Sequence, residues 1–248
     1  SATHSPALLL RSGIKHSAVG ANFRAHPGTG IFGCYDEVVD MNIGATQGWA
    51  SMKYRDEHRI KLETLSIPPS MVLSRMAGGG VSLMRRLSEY RHFAMWVQAT
   101  WAETAGRVKC GWGGQPVVHY TLDKRDMEVF RNGLYLVAQM HFEAGAKKIL
   151  PCIYGFPSEL GPDGLESMRE APLDPRAYLA ILSHLFGGCV MGANPKLSVC
   201  DGLGRVYGLD GLVVVDASVF PSSIGVNPQH SIMALSRHFT NQLLDREA

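Results

Sequence analysis

Two polar positions in the carboxyl-terminal third of the sequence have residue types and surroundings that could do chemistry together. His184 opens the segment HLFGGCVMG, whose three glycines let the backbone pass close to a flat or bulky group. Asn227 and Pro228 mark a helix start, where free N–H groups and partial positive charge suit an anion or a carbonyl oxygen that becomes anionic during reaction. A histidine beside glycines and a helix start also occur in purely structural roles. A functional role therefore requires that both groups reach one pocket.

The run from residue 212 to residue 235 predicts the elements that position these groups. Residues 212–215 are a continuous apolar run rich in β-branched side chains, which predicts a strand buried on both faces and ended by Asp216. Asn227 suits the N-cap, and Pro228 suits the first helical position because proline has no N–H to leave unsatisfied. The apolar residues behind them recur at helical spacing: Ile232, Leu235, Phe239 and Leu243.

Periodicity and turn residues predict the other elements. A short helix runs from Ser5-Pro6 to Ser12-Gly13, and a long helix is capped by Asp123 and ended by Gly145. The middle of the chain is mostly sheet. The predicted strands cover residues 34–39, 59–67, 92–101, 107–111, 116–120 and 148–154, and a further helix over residues 176–182 leads to His184.

The segment GTGIFG, residues 28–33, matches the letters of the dinucleotide-binding fingerprint GxGxxG. A true fingerprint follows a buried strand and opens a helix. Here Pro27 precedes the segment and a strand-like run follows it. The sequence context therefore argues against a nucleotide loop at these glycines.

Composition restricts the class of protein. The 248 residues are 46% hydrophobic and 19% charged, as in soluble globular proteins. The formal net charge of +2 comes from scattered residues, so neither nucleic acid nor an anionic membrane is expected as the main partner, and no apolar run is long enough for a transmembrane segment. The five cysteines form no CxxC pair, which predicts free thiols, no metal site and a reducing, cytoplasmic location. Because the first residue is Ser1, a preceding segment of the gene product is expected.

Motifs at both ends of the sequence resemble one enzyme family. The run HLFGGCVMG and the later run SVCDGLGRVYGLDGLVVVDASVFPSSIGVNPQHSIMAL closely resemble the carboxyl-terminal signature of the glucose-methanol-choline (GMC) family of FAD-dependent oxidoreductases. SATHSPALLLRSGI resembles the second signature of that family, and VGANFRAHP resembles its continuation. The pattern is most similar to the long-chain alcohol oxidase branch and its bacterial relatives. Gly188 stands where the family usually has Thr, and Lys15 stands where it usually has Gly.

The resemblance implies an α+β fold, which becomes α/β when the missing half of the enzyme is included. Residues 21–178 would form a substrate-binding domain with a mainly antiparallel sheet and flanking helices. Residues 1–20 would be the tail of the FAD-binding domain. Residues 179–248 would complete that Rossmann-like domain with a closing strand and helix, and would carry the catalytic residues.

The resemblance also implies the roles of particular residues. His184 would lie beside the flavin N5 and take the alcohol proton while hydride leaves the carbon; an imidazole, with an unperturbed pKa of about 6.5, suits this task. Asn227 would be the second catalytic group and would bond the substrate oxygen without competing for the proton. The expected cofactor contacts are Asp216, Ala217, Asn227, Pro228, Gln229 and His230.

Other histidines remain to be placed. His230 is a rival of Asn227 as the second polar partner of His184. The remaining histidines, including His26, His119 and His141, are expected to be structural or exposed.

The resemblance implies FAD-dependent oxidation of a primary, apolar alcohol to an aldehyde. The GxGxxG loop of the family's amino-terminal half is missing, so a second polypeptide that carries the amino-terminal FAD-binding region is expected as a partner. The chain would then be one piece of a split or nicked enzyme, acting as an alcohol oxidase or an alcohol dehydrogenase. The alternatives are a flavin-containing lyase of the hydroxynitrile type on the same fold and a non-catalytic subunit that completes a partner.

Overall fold

The computed structural model describes residues 1–76 and 78–247 and contains six α-helices and nine strands over them. The helices are α1 (His4–Arg11), α2 (Arg55–His58), α3 (Pro69–Leu73), α4 (Gly80–Ser88), α5 (Lys124–Glu143) and α6 (Gln229–Glu247). The strands are β1 (Ala21–Ala25), β2 (Gly28–Cys34), β3 (Ala50–Ser51), β4 (Ile60–Leu65), β5 (Phe93–Thr100), β6 (Gly106–Cys110), β7 (Pro116–His119), β8 (Lys148–Leu150) and β9 (Leu185–Phe186). The chain divides into two compact units.

The first unit comprises Ser1–His26, Ala102–Leu122 and Leu182–Ala248. Its sheet has the strand order β7-β6-β1-β9, with antiparallel pairing throughout. The predicted hairpin is confirmed, because β6 and β7 pair around the left-handed glycines Gly113 and Gly114. The core beside this sheet contains the following buried residues: Val19, Cys189, Val199, Cys200, Val206, Val214, Val219 and Phe239.

The strand predicted at residues 212–215 does not form. Among the described residues, Val213 makes one isolated bridge to Arg205, and of this run only Val214 is fully buried. A strand buried on both faces needs a hydrogen-bonded neighbouring strand along its length. Within the described part of this chain, residues 212–215 have only the bridge at Val213. The helix that follows is confirmed. It begins at Gln229, one residue later than predicted, and its first hydrogen bond runs from the Ile232 N–H to the Pro228 carbonyl.

The second unit comprises Pro27–Trp101 and Asp123–Ile181 and contains a five-stranded antiparallel sheet in the order β3-β4-β5-β2-β8. The predicted strands over residues 59–67 and 92–101 are confirmed as β4 and β5. The predicted long helix is confirmed as α5, since the Asp123 side chain accepts from the Asp126 N–H and the helix ends just before Gly145. This helix packs on β5 and β2.

The segment GTGIFG is strand β2, buried between β5 and β8, so these glycines form no loop. A Cβ on Gly33 would overlap the imidazole of His141, and a Cβ on Gly30 would lie 2.7 Å from the Trp96 carbonyl oxygen. The glycines therefore admit close neighbours across the sheet.

Three local predictions in this part of the chain are wrong. Residues 35–39 form no strand, and the strand predicted at residues 148–154 ends at Leu150. Residues 176–182 form no α-helix, only a short 3₁₀ turn at Pro175–Ala177. Beyond that turn, Tyr178 and Ile181 make isolated antiparallel bridges to Ile153 and Gly28. Tertiary pairing holds the segment extended and overrides its local helical preference.

The structure confirms the expected fold class, a mixed α and β chain with antiparallel sheets flanked by helices. The five cysteines are all free. Among the described helices, none combines the length and hydropathy that a membrane crossing requires. The assignment of residues 1–20, 21–178 and 179–248 to an FAD-binding domain, a substrate-binding domain and its completion stays a prediction.

Candidate functional site

His184 lies in the first unit at the entrance to β9, half-buried, and it contacts a second histidine. The Nδ1 atoms of His26 and His184 are 3.2 Å apart, and the ring planes differ by 21°. The ring centroids are 5.4 Å apart. This separation is longer than the distance between the Nδ1 atoms by about two ring radii, as expected when two rings meet edge to edge. The backbone supports the pair, because the His26 N–H donates to the His184 carbonyl at 2.9 Å.

The edge-to-edge contact restricts the protonation of both rings. Between two Nδ1 atoms, one nitrogen donates and the other accepts, so the two rings cannot both carry a proton there without repulsion. When His184 is the donor, Nε2 is the unprotonated nitrogen of its neutral ring and can act as a base. This is the arrangement in which a second group orients a catalytic imidazole.

Backbone hydrogen bonds fix the glycine-rich segment after His184 beside the turn Ala217–Val219. Gly187 N–H donates to the Ala217 carbonyl at 3.3 Å, Cys189 N–H to the Ser218 carbonyl at 3.0 Å, and Met191 N–H to the Val219 carbonyl at 2.9 Å. The strand end that carries His184 and the turn that follows Asp216 are therefore adjacent.

The close approach at this segment requires glycine. Gly187 has a left-handed φ of +75°, and a Cβ there would overlap the backbone carbonyl of Asn22. Gly188 has a φ of +91°, and a Cβ there would lie 2.9 Å from the ring of Pro6. The glycines expected to let the backbone pass a neighbour do so against β1 and α1.

Asp216 is half-buried and shapes its own turn. Its carboxylate accepts from the Ser218 N–H at 2.7 Å and from the Ser5 hydroxyl at 2.5 Å. Ala217 follows it in the turn and is also half-buried. These bonds tie α1 to the turn, and contact of Asp216 and Ala217 with a cofactor stays a prediction.

Asn22 connects β1 to the loop that leads to the predicted helix start. Its side-chain amide donates to the Pro221 carbonyl at 2.7 Å, and its side-chain oxygen accepts from Arg24 Nε at 2.8 Å. Asn22 has a φ of +56°, a left-handed conformation that asparagine tolerates better than most residues. The loop from Phe220 to Asn227 is therefore held from its amino-terminal side.

The residues expected at the helix start differ in exposure. Asn227, Gln229 and His230 are exposed, whereas Pro228 is buried. Because the first intrahelical bond is donated by Ile232, the N–H groups before it have no acceptor within α6. A helix of 19 residues with an exposed start suits a polar ring edge on which negative charge grows. These residues therefore fit the flavin edge expected there, and their individual roles stay predictions.

His26 is a residue of this site that sequence reasoning did not single out. It was expected to be structural or exposed, and it is buried with its ring against His184. The available signal was its position at the end of VGANFRAHP, one of the motifs that carry the family resemblance. His119 is exposed and His141 is buried in the second unit.

The two cysteines in this region are not activated as nucleophiles. Burial raises the pKa of Cys189 and of Cys200 to about 12, so both remain protonated thiols at neutral pH. Over the described residues, no group of three or more His, Cys, Asp or Glu side chains is arranged to hold a metal ion.

Comparison with known proteins gives one family. The profile of the GMC oxidoreductase family matches residues 105–236. An uncharacterized GMC-type oxidoreductase of Mycobacterium tuberculosis is 32% identical over 243 residues, which are 97% of this chain and 38% of that protein. A long-chain-alcohol oxidase of Arabidopsis thaliana is 26% identical over 97% of this chain and 34% of its own length. The chain thus spans less than half the length of these relatives.

Solved structures share the fold. Pyridoxine 4-oxidase from Mesorbium loti matches with a TM-score of 0.71 and 20% identity, over 98% of this chain and 50% of that one. A formate oxidase matches with a TM-score of 0.68 and 15% identity, over 97% of this chain and 52% of that one. The architecture described above is therefore that of one half of these longer chains.

Proposed function

Because the chain belongs to the GMC oxidoreductase family, we propose that it is the carboxyl-terminal part of an FAD-dependent enzyme that oxidises a primary, apolar alcohol to an aldehyde. FAD is the cofactor, which the family membership and the FAD of a structurally similar formate oxidase support. When bound, FAD supplies the acceptor for the hydride that leaves the alcohol carbon. The relatives that are long-chain-alcohol oxidases support an apolar alcohol as the substrate class.

The contact between His26 and His184 is the observation that carries this proposal. With His184 Nδ1–H donating to His26 Nδ1, Nε2 is the unprotonated nitrogen of the neutral His184 ring, and its lone pair would take the hydroxyl proton of an alcohol. Once His184 is protonated, its Nδ1–H still has His26 as its acceptor, so the charge that forms on His184 is stabilised. His26 is then a positioning residue, and His184 is the catalytic base.

The start of α6 supplies the second polar component. We assign the side-chain amide of Asn227 to the substrate oxygen, with His230 as its rival, since both are exposed beside the helix start. The N–H groups of Gln229 and His230, which have no acceptor within α6, would face the flavin edge, with Pro228 buried beside them. Asp216 and Ala217 would contact the chain of the cofactor near its phosphates.

A second polypeptide is proposed as the partner that brings the amino-terminal FAD-binding region. The segment GTGIFG, which is a buried sheet strand, offers no helix start for a pyrophosphate. In this proposal residues 1–20 and 179–248 complete the FAD-binding domain and residues 21–178 bind the substrate. Native mass spectrometry of the purified material should show a second component and bound flavin.

Anaerobic titration with alcohols tests the reaction itself. We expect primary alcohols of graded chain length to bleach the visible absorbance of the flavin in the assembled protein, because hydride transfer reduces it. A lyase with a structural flavin would consume a cyanohydrin without this bleaching. If the chain were a non-catalytic subunit that only completes a partner, the assembled protein would turn over equally fast with and without the His184 side chain. Flavin that stays oxidised under every alcohol would contradict an oxidoreductase.

A further inference from the structure

A cavity in the second unit contains a positive charge that the proposed function does not use. Its volume is about 300 Å³, and it is lined by Arg75, Met76, Cys152, Tyr154, Arg176 and Leu179. All of these residues lie in the second unit. Ligand cavities of small molecules begin at roughly this volume.

Arg75 is half-buried and has no carboxylate partner among the described residues. Its Nη1 donates to the Leu179 carbonyl at 3.2 Å, and its Nε is enclosed with no hydrogen-bond acceptor. Burial lowers the pKa of Arg75, which reflects the cost of keeping this cation away from water. A guanidinium in this position would gain from an anion in the cavity.

Two neighbouring arginines differ from Arg75. Arg86 Nε lies 2.9 Å from Glu159, and Arg176 Nη2 lies 2.7 Å from Asp174, which also accepts from Arg176 Nε. The positive charge of Arg176 is therefore already paired with a carboxylate. Within the described part of the second unit, the cavity thus offers one unpaired charge, which matches a monoanion better than a dianion such as a phosphate monoester.

We propose that this cavity binds a monocarboxylate with a short apolar chain, whose carboxylate pairs with Arg75. The apolar chain would lie against Met76, Ile153 and Leu179, which line the same cavity. Since one water occupies about 30 Å³ in the liquid, the cavity holds a chain of roughly ten non-hydrogen atoms or fewer. This inference concerns the second unit alone and requires neither FAD nor the histidine pair of the first unit.

Isothermal titration of the 248-residue chain with hexanoate, hexanol and hexyl phosphate tests the proposal. We expect saturable binding of hexanoate, with at least tenfold weaker binding of hexanol because it has no charge for Arg75. Arg75→Met should weaken hexanoate at least tenfold. Arg85→Met, an equal loss of charge at an exposed position of α4, should leave hexanoate binding unchanged.

Three results would overturn the proposal: no saturable binding of hexanoate, equal hexanoate affinity in Arg75→Met and the wild type, or tighter binding of hexyl phosphate than of hexanoate. Circular dichroism identifies a variant that fails to fold. If Arg75→Met does so, Arg75→Lys provides the comparison, because it keeps the charge and loses the planar fork. Hexanoate should then bind at least threefold more weakly to Arg75→Lys than to the wild type, and unchanged affinity would count against a role for the guanidinium.

Discussion

His26 and His184 meet through their Nδ1 atoms at 3.2 Å, and the His26 N–H also donates to the His184 carbonyl. The two residues are 158 positions apart in the sequence, and the pairing of β1 with β9 brings them together. The buried ring of His26 thus holds the half-buried ring of His184 at Nδ1. When His184 donates in this contact, its Nε2 is the unprotonated nitrogen and can act as a base.

Replacing His26 should impair catalysis without removing the base. We expect His26→Phe to lower kcat of the assembled enzyme by about 10- to 100-fold, because the acceptor for the His184 Nδ1–H is lost. The pH profile of kcat should also shift, since the charged form of His184 loses its partner. His26→Gln should recover part of the rate through its side-chain oxygen.

The matched control for this prediction is His119→Phe at an exposed position of β7. Steady-state kinetics over a range of pH, together with the flavin content, provides the check. Equal kcat and equal pH profiles in His26→Phe and the wild type would mean that His26 has only a packing role.

Gly187 should be intolerant of any side chain. Gly187→Ala forces a left-handed alanine and places its Cβ against the backbone carbonyl of Asn22, which cannot swing away as a side chain would. We expect the free energy of unfolding to fall by at least about 3 kcal/mol. Chemical denaturation of the chain measures the change.

Gly202→Ala is the comparison for Gly187→Ala, since no atom lies within 4 Å of its Cβ position and its φ is not left-handed. Its effect on the free energy of unfolding should stay within about 0.5 kcal/mol. Similar losses of unfolding free energy in the two variants would contradict the close contact between Gly187 and the Asn22 carbonyl.

The parts of the fold that sequence predicted correctly are those fixed by local patterns. Helix α5 has its own cap at Asp123 and its own apolar stripe, and β4 and β5 carry β-branched and aromatic residues bounded by turns. The hairpin follows from the glycine pair between β6 and β7. Each of these elements contains its signals within its own sequence.

The sequence predictions that failed concern segments whose structure depends on tertiary partners. Residues 212–215 have the composition of a buried strand, yet within the described residues a single bridge at Val213 is all the pairing they have. Residues 176–182 are extended because Tyr178 and Ile181 bridge to distant segments. The contact of His26 with His184 likewise joins positions far apart in sequence, and a single sequence does not reveal such pairing.

Acidification should destabilise the second unit through His141. Burial lowers the pKa of His141 from 6.5 to about 4, and the neutral ring donates from Nε2 to the Ile31 carbonyl and accepts at Nδ1 from the Tyr35 hydroxyl. The folded state therefore binds fewer protons than the unfolded state between these pH values. Stability should fall as the pH drops below about 6.5 and level off near pH 4, with a total loss of up to about 3 kcal/mol.

Denaturant unfolding between pH 7.5 and 4.5 measures this dependence, and Trp96, which stacks on His141 at 4.2 Å, provides a local fluorescence signal. The variant His141→Leu should be less stable at pH 7.5 but show a shallower decline on acidification. A slope equal to that of the wild type would assign the pH dependence to other groups.

Asp126 should be needed for the stability of the second unit. Its carboxylate is buried at the start of α5 and lies 2.9 Å from Arg59 Nη1, so its removal takes a carboxylate away from a guanidinium that is only 17% exposed. We expect Asp126→Ala to lower the free energy of unfolding by about 3 to 5 kcal/mol. Glu128→Ala, an exposed change on the same helix, should cost less than about 0.5 kcal/mol.

The proposal that His184 is the catalytic base is tested most directly by the rate of flavin reduction in a single anaerobic turnover. Wild-type and His184→Gln assemblies with equal flavin content are mixed with a saturating primary alcohol, and flavin bleaching is followed by stopped flow. We predict at least a 100-fold slower reduction in His184→Gln, because the alcohol proton then has no base. Equal rates of reduction in the two proteins would contradict this role of His184.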